Sequence, residues 1–357
     1  MTARGSGLIW SPEPVRVRAP ATCANLGPGF DALGLALALW DEMEASVTGD
    51  GLLVEVTGEG ADTAGLGEQH LVVRAMRAAF GALGGQPPGL RLRCVNAIPQ
   101  GRGLGSSAAA IVSGLLAARA LSAAGGNGLP DAWVLELATA LEGHPDNVAA
   151  CLAGGLTVAW QPGDRGVRML RLGVTDALTA VLCVPPFPLP TSEARGVLPA
   201  RVPHAEAAAN AARSALLVAA LAGAAAGAAA GTLLDATEDF LHQPYRAKVM
   251  PATADLLARL RRAGVAAVVS GAGPAVLALL VDGVPPGPEA VDSIARQTGI
   301  AWHVTPLDID RQGAAVQPGG LEEYPPDIGR LRRPWQQARG RGMPSGGGSP
   351  QGQPVLP

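Results

Sequence analysis

The stretch Ile98 to Ala110, IPQGRGLGSSAAA, sets three glycines at alternate positions ahead of two serines and a run of alanines. The residues before it, LRLRCVNAIP, read as a strand, and SSAAAIVSGLLAARALSA after it is a strong helix former. The glycines therefore occupy a strand-to-helix turn. Glycine leaves main-chain N–H groups open to close approach, and the dipole of the following helix favours an anion. Ser106 and Ser107 add hydroxyls able to bond a phosphate or a magnesium ion. A tight turn before a capped helix fits the same letters, so this stretch by itself leaves both readings open. It is not a G-x-x-x-x-G-K-[ST] loop, because the chain's single lysine is Lys248. It is not a dinucleotide fingerprint either, since the third glycine is misplaced and no acid follows a strand at the expected interval. A phosphate bound here would be neutralised by main-chain dipoles, Mg2+ and Arg102.

Two other stretches could take part. SGAGPA, Ser270 to Ala275, joins two apolar strand candidates. It suits a hairpin corner, and it also suits a second wall of a shared phosphate pocket. PATCANLGPGFDALGLAL, Pro20 to Leu37, crowds Asn25, Gly27, Gly29 and Asp31 into a loop before an apolar run. Polar side chains in such a loop can point into a cleft, although Asp31 could equally serve as a helix cap.

The elements that must position these residues alternate along the chain. VRVRA at Val15, LLVEV at Leu52, LRLRCV at Leu90 and GLTVAW at Gly155 predict strands; 69–84, 106–124 and 130–142 carry helical spacing. After Gly166 come the strands GVRMLRL and LTAVLCV, Ala-rich helices, a helix over 252–263, strands VAAVVS and AVLALLV, a helix near 287–298 and a last strand AWHVTPL. This is an α+β class with a second α+β unit following the first. Ala215 to Leu234 runs without a charge and spaces Gly223, Gly227 and Gly231 like a helix-packing motif. It is mostly Ala and Gly with no basic flank, so a close-packed helical pair turning near Gly223 to Gly231 is the expectation over a membrane span. Residues 312–357 are rich in Gly and Pro and predict a disordered tail.

Composition narrows the function. With 357 residues, 48% of them hydrophobic, the chain can bury a large core. A net charge of −3 gives no field to draw it to nucleic acid or an anionic membrane. Cys23, Cys94, Cys151 and Cys183 are scattered without a C-x-x-C pair, which argues against a metal cluster or disulfide framework and for a reduced, cytoplasmic enzyme.

The three loop stretches, in this order, resemble the signature motifs of the GHMP kinase superfamily. PATCANLGPGFDALGLAL, EGHPDNV at Glu142 to Val148, and HQPYR at His242 to Arg246 are similar to its homoserine-phosphorylating members in particular. The resemblance covers about 13–311. It implies a two-domain GHMP kinase architecture: an N-terminal half over 13–162 like ribosomal protein S5 domain 2, and a ferredoxin-like C-terminal half over 163–311. The implied activity is ATP-dependent phosphorylation of the L-homoserine hydroxyl, a step of threonine biosynthesis, with Mg2+ and with neither nucleic acid nor membrane as partner; a homodimer stays open.

Residue by residue, the resemblance implies that Pro99, Gln100, Gly101, Arg102, Gly103, Leu104, Gly105, Ser106 and Ser107 wrap the ATP phosphates. Ser107 and Glu136 would hold Mg2+. Asn25, Asp31, His144, Arg195 and Arg246 would surround the amino acid, with the arginines gripping its carboxylate and Asp31 its ammonium. Asp146 and Asn147 would lie near the reacting groups without a dedicated carboxylate base, because phosphoryl transfer needs mostly positioning and charge stabilisation. His70 stands where the family usually has an asparagine that contacts adenine; imidazole can also bond a purine edge.

Overall fold

A computed structural model describes residues 9–62, 67–122, 128–223 and 230–320. Among the described residues, eleven strands form two sheets. The larger has seven: β1 (Val15–Ala24), β2 (Leu33–Thr48), β3 (Gly51–Gly58), β4 (Gly89–Asn96), β5 (Leu156–Trp160), β6 (Arg168–Leu172) and β11 (Ala315–Pro318). Its order is β11-β1-β2-β4-β3, with β5 on the first part of β2 and β6 beyond β5. The smaller sheet, β10-β7-β9-β8, contains β7 (Leu178–Val184), β8 (Ala266–Val269), β9 (Val276–Val281) and β10 (His303–Leu307), all antiparallel.

The helices are α1 (Leu71–Leu83), α2 (Ser106–Leu121), α3 (Asp131–Glu142), α4 (Asp146–Ala153), α5 (Thr191–Gly196), α6 (His204–Leu221), α7 (Ala230–Ala236), α8 (Gln243–Arg246), α9 (Pro251–Arg262) and α10 (Pro288–Arg296). α1 carries β3 over to its parallel neighbour β4 and buries Val72, Val73, Met76, Ala79 and Phe80 at helical spacing. It stops at Gly84, whose φ of 94° returns the N–H to the last turn. In the smaller sheet, alternate residues serve two cores. Ala180 and Leu182 of β7 join the main cluster, while Val181 and Cys183 pack against Leu256, Leu260 and Val291 of α9 and α10. Both faces are covered, which accounts for the apolar run AVLCV, Ala180 to Val184.

Two boundaries differ from the sequence expectation. GVRMLRL was expected in the second half, but β6 pairs with β5 and extends the first sheet. The Gly/Pro-rich tail was expected from 312, yet Ala315–Pro318 adds to β1, because the turn at Gln312 and Gly313 is fastened by the Asp310 carboxylate. Residues 321–357 lie outside the described residues, as does most of the turn expected between Gly223 and Gly231. α6 and α7 pack on each other, and no helix among the described residues is long and apolar enough to cross a membrane.

Candidate active site

The glycine-rich loop leaves β4 and enters α2 through three left-handed residues, Gly101, Gly103 and Gly105, with φ of 64°, 76° and 70°. It is braced from two sides. Ala275 N–H donates to Arg102 O at 3.2 Å and the Ser270 hydroxyl to Gly103 O at 2.8 Å, so SGAGPA is a β8–β9 hairpin that also buttresses the loop. From below, Thr22 N–H donates to Leu104 O at 3.0 Å, and the Thr22 hydroxyl bonds Asn147 Oδ1 at 2.7 Å. α2 opens at Gly105 with no side-chain cap and no acid in its first turn. Its free N–H groups and positive dipole end are left to an anion.

That helix end lines a cleft of about 420 Å3, together with Pro99, Gln100, Gly101, Gly103, Leu104, Gly105, Ser106 and Ser107. Arg102 does not line it. Its guanidinium is turned away and bonds the carbonyls of Pro185, Pro186 and Gln100 at 3.1, 3.0 and 2.9 Å. The expectation that Arg102 neutralises phosphate charge is therefore corrected: three carbonyls hold the charge outside. His70 does line the cleft, beside Gln69 and Asn96. Its Nδ1 is buried with no hydrogen-bond partner, and burial lowers its pKa, favouring the neutral ring.

Glu136 is the second correction. It is exposed on α3 and faces the turn at Gly166. Six residues further on, about 240° round the helix, Glu142 lines the cleft and its Oε1 is 2.5 Å from the Ser107 hydroxyl. A hydroxyl and a carboxylate are hard oxygen donors of the kind Mg2+ accepts alongside phosphate oxygens and water. The donor set fits that ion with Glu142 in place of Glu136. The sequence carried a signal for it: an acid as the last residue of a helix opposes the dipole there, and Gly143 follows at once with φ 92°.

Across the cleft stand the charged groups of the second half. Arg246, 1% exposed, donates from Nε to Ala194 O at 3.1 Å and from Nη1 to Gly271 O at 3.1 Å. Burial, then the nearby Arg195, lowers its pKa to about 10, so it remains charged at neutral pH. Arg195 on α5 makes a two-pronged pair with Asp31 at 2.6 and 3.2 Å. The Phe30 ring lies 5.6 Å from each guanidinium. Asn25 and Asp31 sit at φ of 66° and 54°, uncommon for residues with a Cβ and typical of functional loops. The Asn25 side chain is spent on structure: Nδ2 donates to Gly271 O at 2.8 Å and Oδ1 accepts the Asp31 N–H at 2.9 Å.

His144 and Asp146 form a tight pair, Nδ1 to Oδ1 2.6 Å, and the same Oδ1 accepts the Asn147 N–H at 2.8 Å. Burial works against a protonated His144, but the Asp146 carboxylate outweighs it and the pKa is raised. Thus Asn25, His144, Asp146, Asn147, Arg195, Arg246 and His70 line one cleft with the loop, and Asp31 joins it through Arg195. Glu142 and Thr191, which also line it, were missed from the sequence.

A glycine-rich loop at an uncapped helix end, facing charged groups of the second half across one cleft, is an arrangement suited to a small-molecule kinase, and the chain's relatives are of that class. The model of the GHMP kinases N terminal domain matches residues 70–155 and that of the GHMP kinases C terminal domain 216–302. The chain is 51% identical to the homoserine kinase of Streptomyces avermitilis over 88% of this chain and 99% of that protein. It is 47% identical to the homoserine kinase of Clavibacter michiganensis over 85% and 94%. The crystal structure of homoserine kinase from Cytophaga hutchinsonii superposes with a TM-score of 0.73 at 27% identity, covering 85% of this chain and 98% of that one. The chain belongs to the GHMP kinase family. Within that family it groups with the homoserine kinases.

Proposed function

We propose that this protein transfers the γ-phosphoryl group of ATP to the side-chain hydroxyl of L-homoserine, giving O-phospho-L-homoserine. The observation that carries the reading is the facing, within one cleft, of an uncapped helix N-terminus and two arginines. Main-chain N–H groups of the glycine loop bind the triphosphate, and the Nδ1 of His70 meets the adenine edge. Ser107 and Glu142 would hold Mg2+, which would supply charge neutralisation at the phosphate oxygens.

Homoserine is a zwitterion, and the far wall offers both signs. Arg246 and Arg195 take the carboxylate, and Asp31 takes the ammonium. The Asp31–Arg195 pair is half-exposed, so a zwitterion can exchange that one ion pair for two. The hydroxyl oxygen then attacks the γ-phosphorus in line as the bond to the ADP oxygen breaks, and the proton departs to solvent. No carboxylate base is part of this reading. Asp146 already accepts from His144 and Asn147, and a loose transition state demands little proton removal before attack. Asn147, bonded to Thr22 under the loop, keeps the acceptor and phosphate sides in register.

An ADP-release assay with L-homoserine, L-threonine and mevalonate side by side tests the reading. Turnover of homoserine well above the other two is expected; equal or greater turnover of mevalonate overturns it. Asp146→Asn retaining turnover supports the absence of a base, whereas loss of turnover with both substrates bound and the fold intact refutes it.

A further inference from the structure

His242 is completely buried and takes no part in the chemistry above. Its two ring nitrogens face different halves of the molecule. Nδ1 lies 3.0 Å from Nη1 of Arg246, and Nε2 lies 2.8 Å from the carbonyl of Gly27. A guanidinium can only donate, so Nδ1 must be the bare acceptor; a carbonyl can only accept, so Nε2 must carry the hydrogen. The partners thereby fix a neutral imidazole in a single tautomer. The Asp239 carboxylate, 3.4 Å from Nε2, is occupied by the main-chain N–H groups of Leu241, His242 and Gln243 at 2.9, 3.1 and 2.6 Å. The ring is stacked on Phe30 at 5.4 Å.

The two ends of this bridge are the two ends of the amino-acid site. Arg246 has three of its N–H groups committed to His242, Gly271 and Ala194, and the bonds described leave both hydrogens on Nη2 for the cleft. Gly27 belongs to the loop that presents Asn25 and Asp31. We infer that His242 is a positioning residue for substrate recognition, a fixed-tautomer strut that ties the carboxylate-gripping Arg246 to the loop carrying the ammonium partner Asp31 and so sets their separation. Burial holds the His242 pKa below the ordinary histidine value, in keeping with the neutral ring. The inference rests on the amino-acid reading of the site.

Three substitutions dissect the strut. His242→Leu removes both bonds. His242→Asn places Oδ1 where Nδ1 was and keeps the acceptor for Arg246. His242→Gln keeps a donor toward Gly27 and loses that acceptor. Each variant releases the tie at one end or both. The expected result is a KM for L-homoserine raised about 10- to 100-fold in the Leu and Gln variants, which lose the charge-assisted bond to Arg246. The Asn variant keeps that bond but lets go of Gly27, and its KM should rise by a smaller factor, about 2- to 10-fold, the range for a neutral hydrogen bond; KM for ATP stays within about twofold throughout. With 3-amino-1-propanol, which lacks the carboxylate, all variants should match the wild type in relative kcat/KM. Should the Leu variant fail to fold, the Asn and Gln pair decides. An unchanged KM for L-homoserine in either the Asn or the Gln variant, parallel rises in both KM values, or the same deficit with 3-amino-1-propanol overturns the strut. Wild-type turnover of L-homoserine tests the underlying reading separately; if the wild type prefers another alcohol, that reading fails before any variant is compared.

Discussion

Gly105 is the position in the glycine-rich loop where an added Cβ would meet a side chain most closely. Its φ is 70°, and a Cβ there would run into the Thr22 hydroxyl and stand 3.1 Å from Asn147 Oδ1. Those two groups share a buried hydrogen bond of 2.7 Å. Gly105→Ala therefore carries two costs. A left-handed residue with a Cβ costs about 1–2 kcal/mol, and parting Thr22 from Asn147 costs about 1–3 kcal/mol. The sum, about 2–5 kcal/mol, is a large share of the roughly 5–15 kcal/mol that holds a domain folded. Gly101→Ala is the internal control. Its φ is 64°, but the nearest atom to its added Cβ is Pro188 Cβ at 3.1 Å, a side-chain carbon with no hydrogen bond to lose. Only the first cost applies. At about 2–4 °C per kcal/mol, the second cost alone should place the thermal unfolding of Gly105→Ala about 2–12 °C below that of Gly101→Ala. KM for ATP should rise about tenfold or more in Gly105→Ala while KM for homoserine changes little. Adding Thr22→Ala removes the obstructing hydroxyl, so the double variant should be less destabilised than the sum of the singles by about 1 kcal/mol. Strict additivity, or equal effects of the two glycine substitutions, refutes the reasoning.

Glu142→Gln should lower kcat/KM about 100- to 1,000-fold, the scale of losing one electrostatic group at a transition state, and should displace the Mg2+ titration to higher concentration. Glu136→Gln should leave both within about twofold, and steady-state kinetics across a Mg2+ series separates them. His70→Leu removes the neutral imidazole from the cleft and should raise KM for ATP about 5- to 10-fold, one net hydrogen bond, with KM for homoserine unchanged. Asp41 provides a pH test. Its Oδ1 accepts the N–H groups of Ala97 and Ile98 at 2.7 and 2.9 Å at the entrance to the loop. Burial, opposed by those two bonds, raises its pKa to about 7. The folded chain then holds a proton that the unfolded chain releases near pH 4, so stability should be withdrawn as pH rises from about 4 through 7. Asp41→Asn keeps an Oδ1 for both bonds and cannot ionise, so the Tm of wild type relative to this variant should fall over that range; a constant difference contradicts it.

How much of this was legible in the letters depends on the distance over which each feature is fixed. The strand-glycine-helix turn is local: alternation before it and helix formers after it are set within a dozen residues, so the turn over Gly101 to Ser107 could be read directly, while the choice between an anion site and a plain capped turn rested on the resemblance. The proposed zwitterion site was legible only through a resemblance, because Asp31, Arg195 and Arg246 are brought together by tertiary packing and no spacing predicts their meeting. Arg102 failed for the same reason in reverse. Its sequence neighbours form the glycine-rich loop, while two of the three carbonyls that capture its guanidinium belong to the distant Pro185 and Pro186. The tail failed at its start, where β11 owes its order to β1 at the other end of the chain.

Glu136 and Glu142 make the sharpest case, because local rules are enough to tell them apart. Both acids lie on α3, and both are ordinary by composition. Helical geometry puts them about 240° apart, so only one can share a face with the cleft, and the acidic final residue that opposes the helix dipole is the one with a cost to explain. His242 carries the same lesson further from the surface. A buried imidazole reads as a core residue until its two partners are identified. A guanidinium on one nitrogen and a carbonyl on the other leave one tautomer, and that tautomer joins the loop before β2 to the helix α8. The cleft is thus braced by a group that does not line it, whose chemistry is fixed by donor and acceptor count before any ligand arrives.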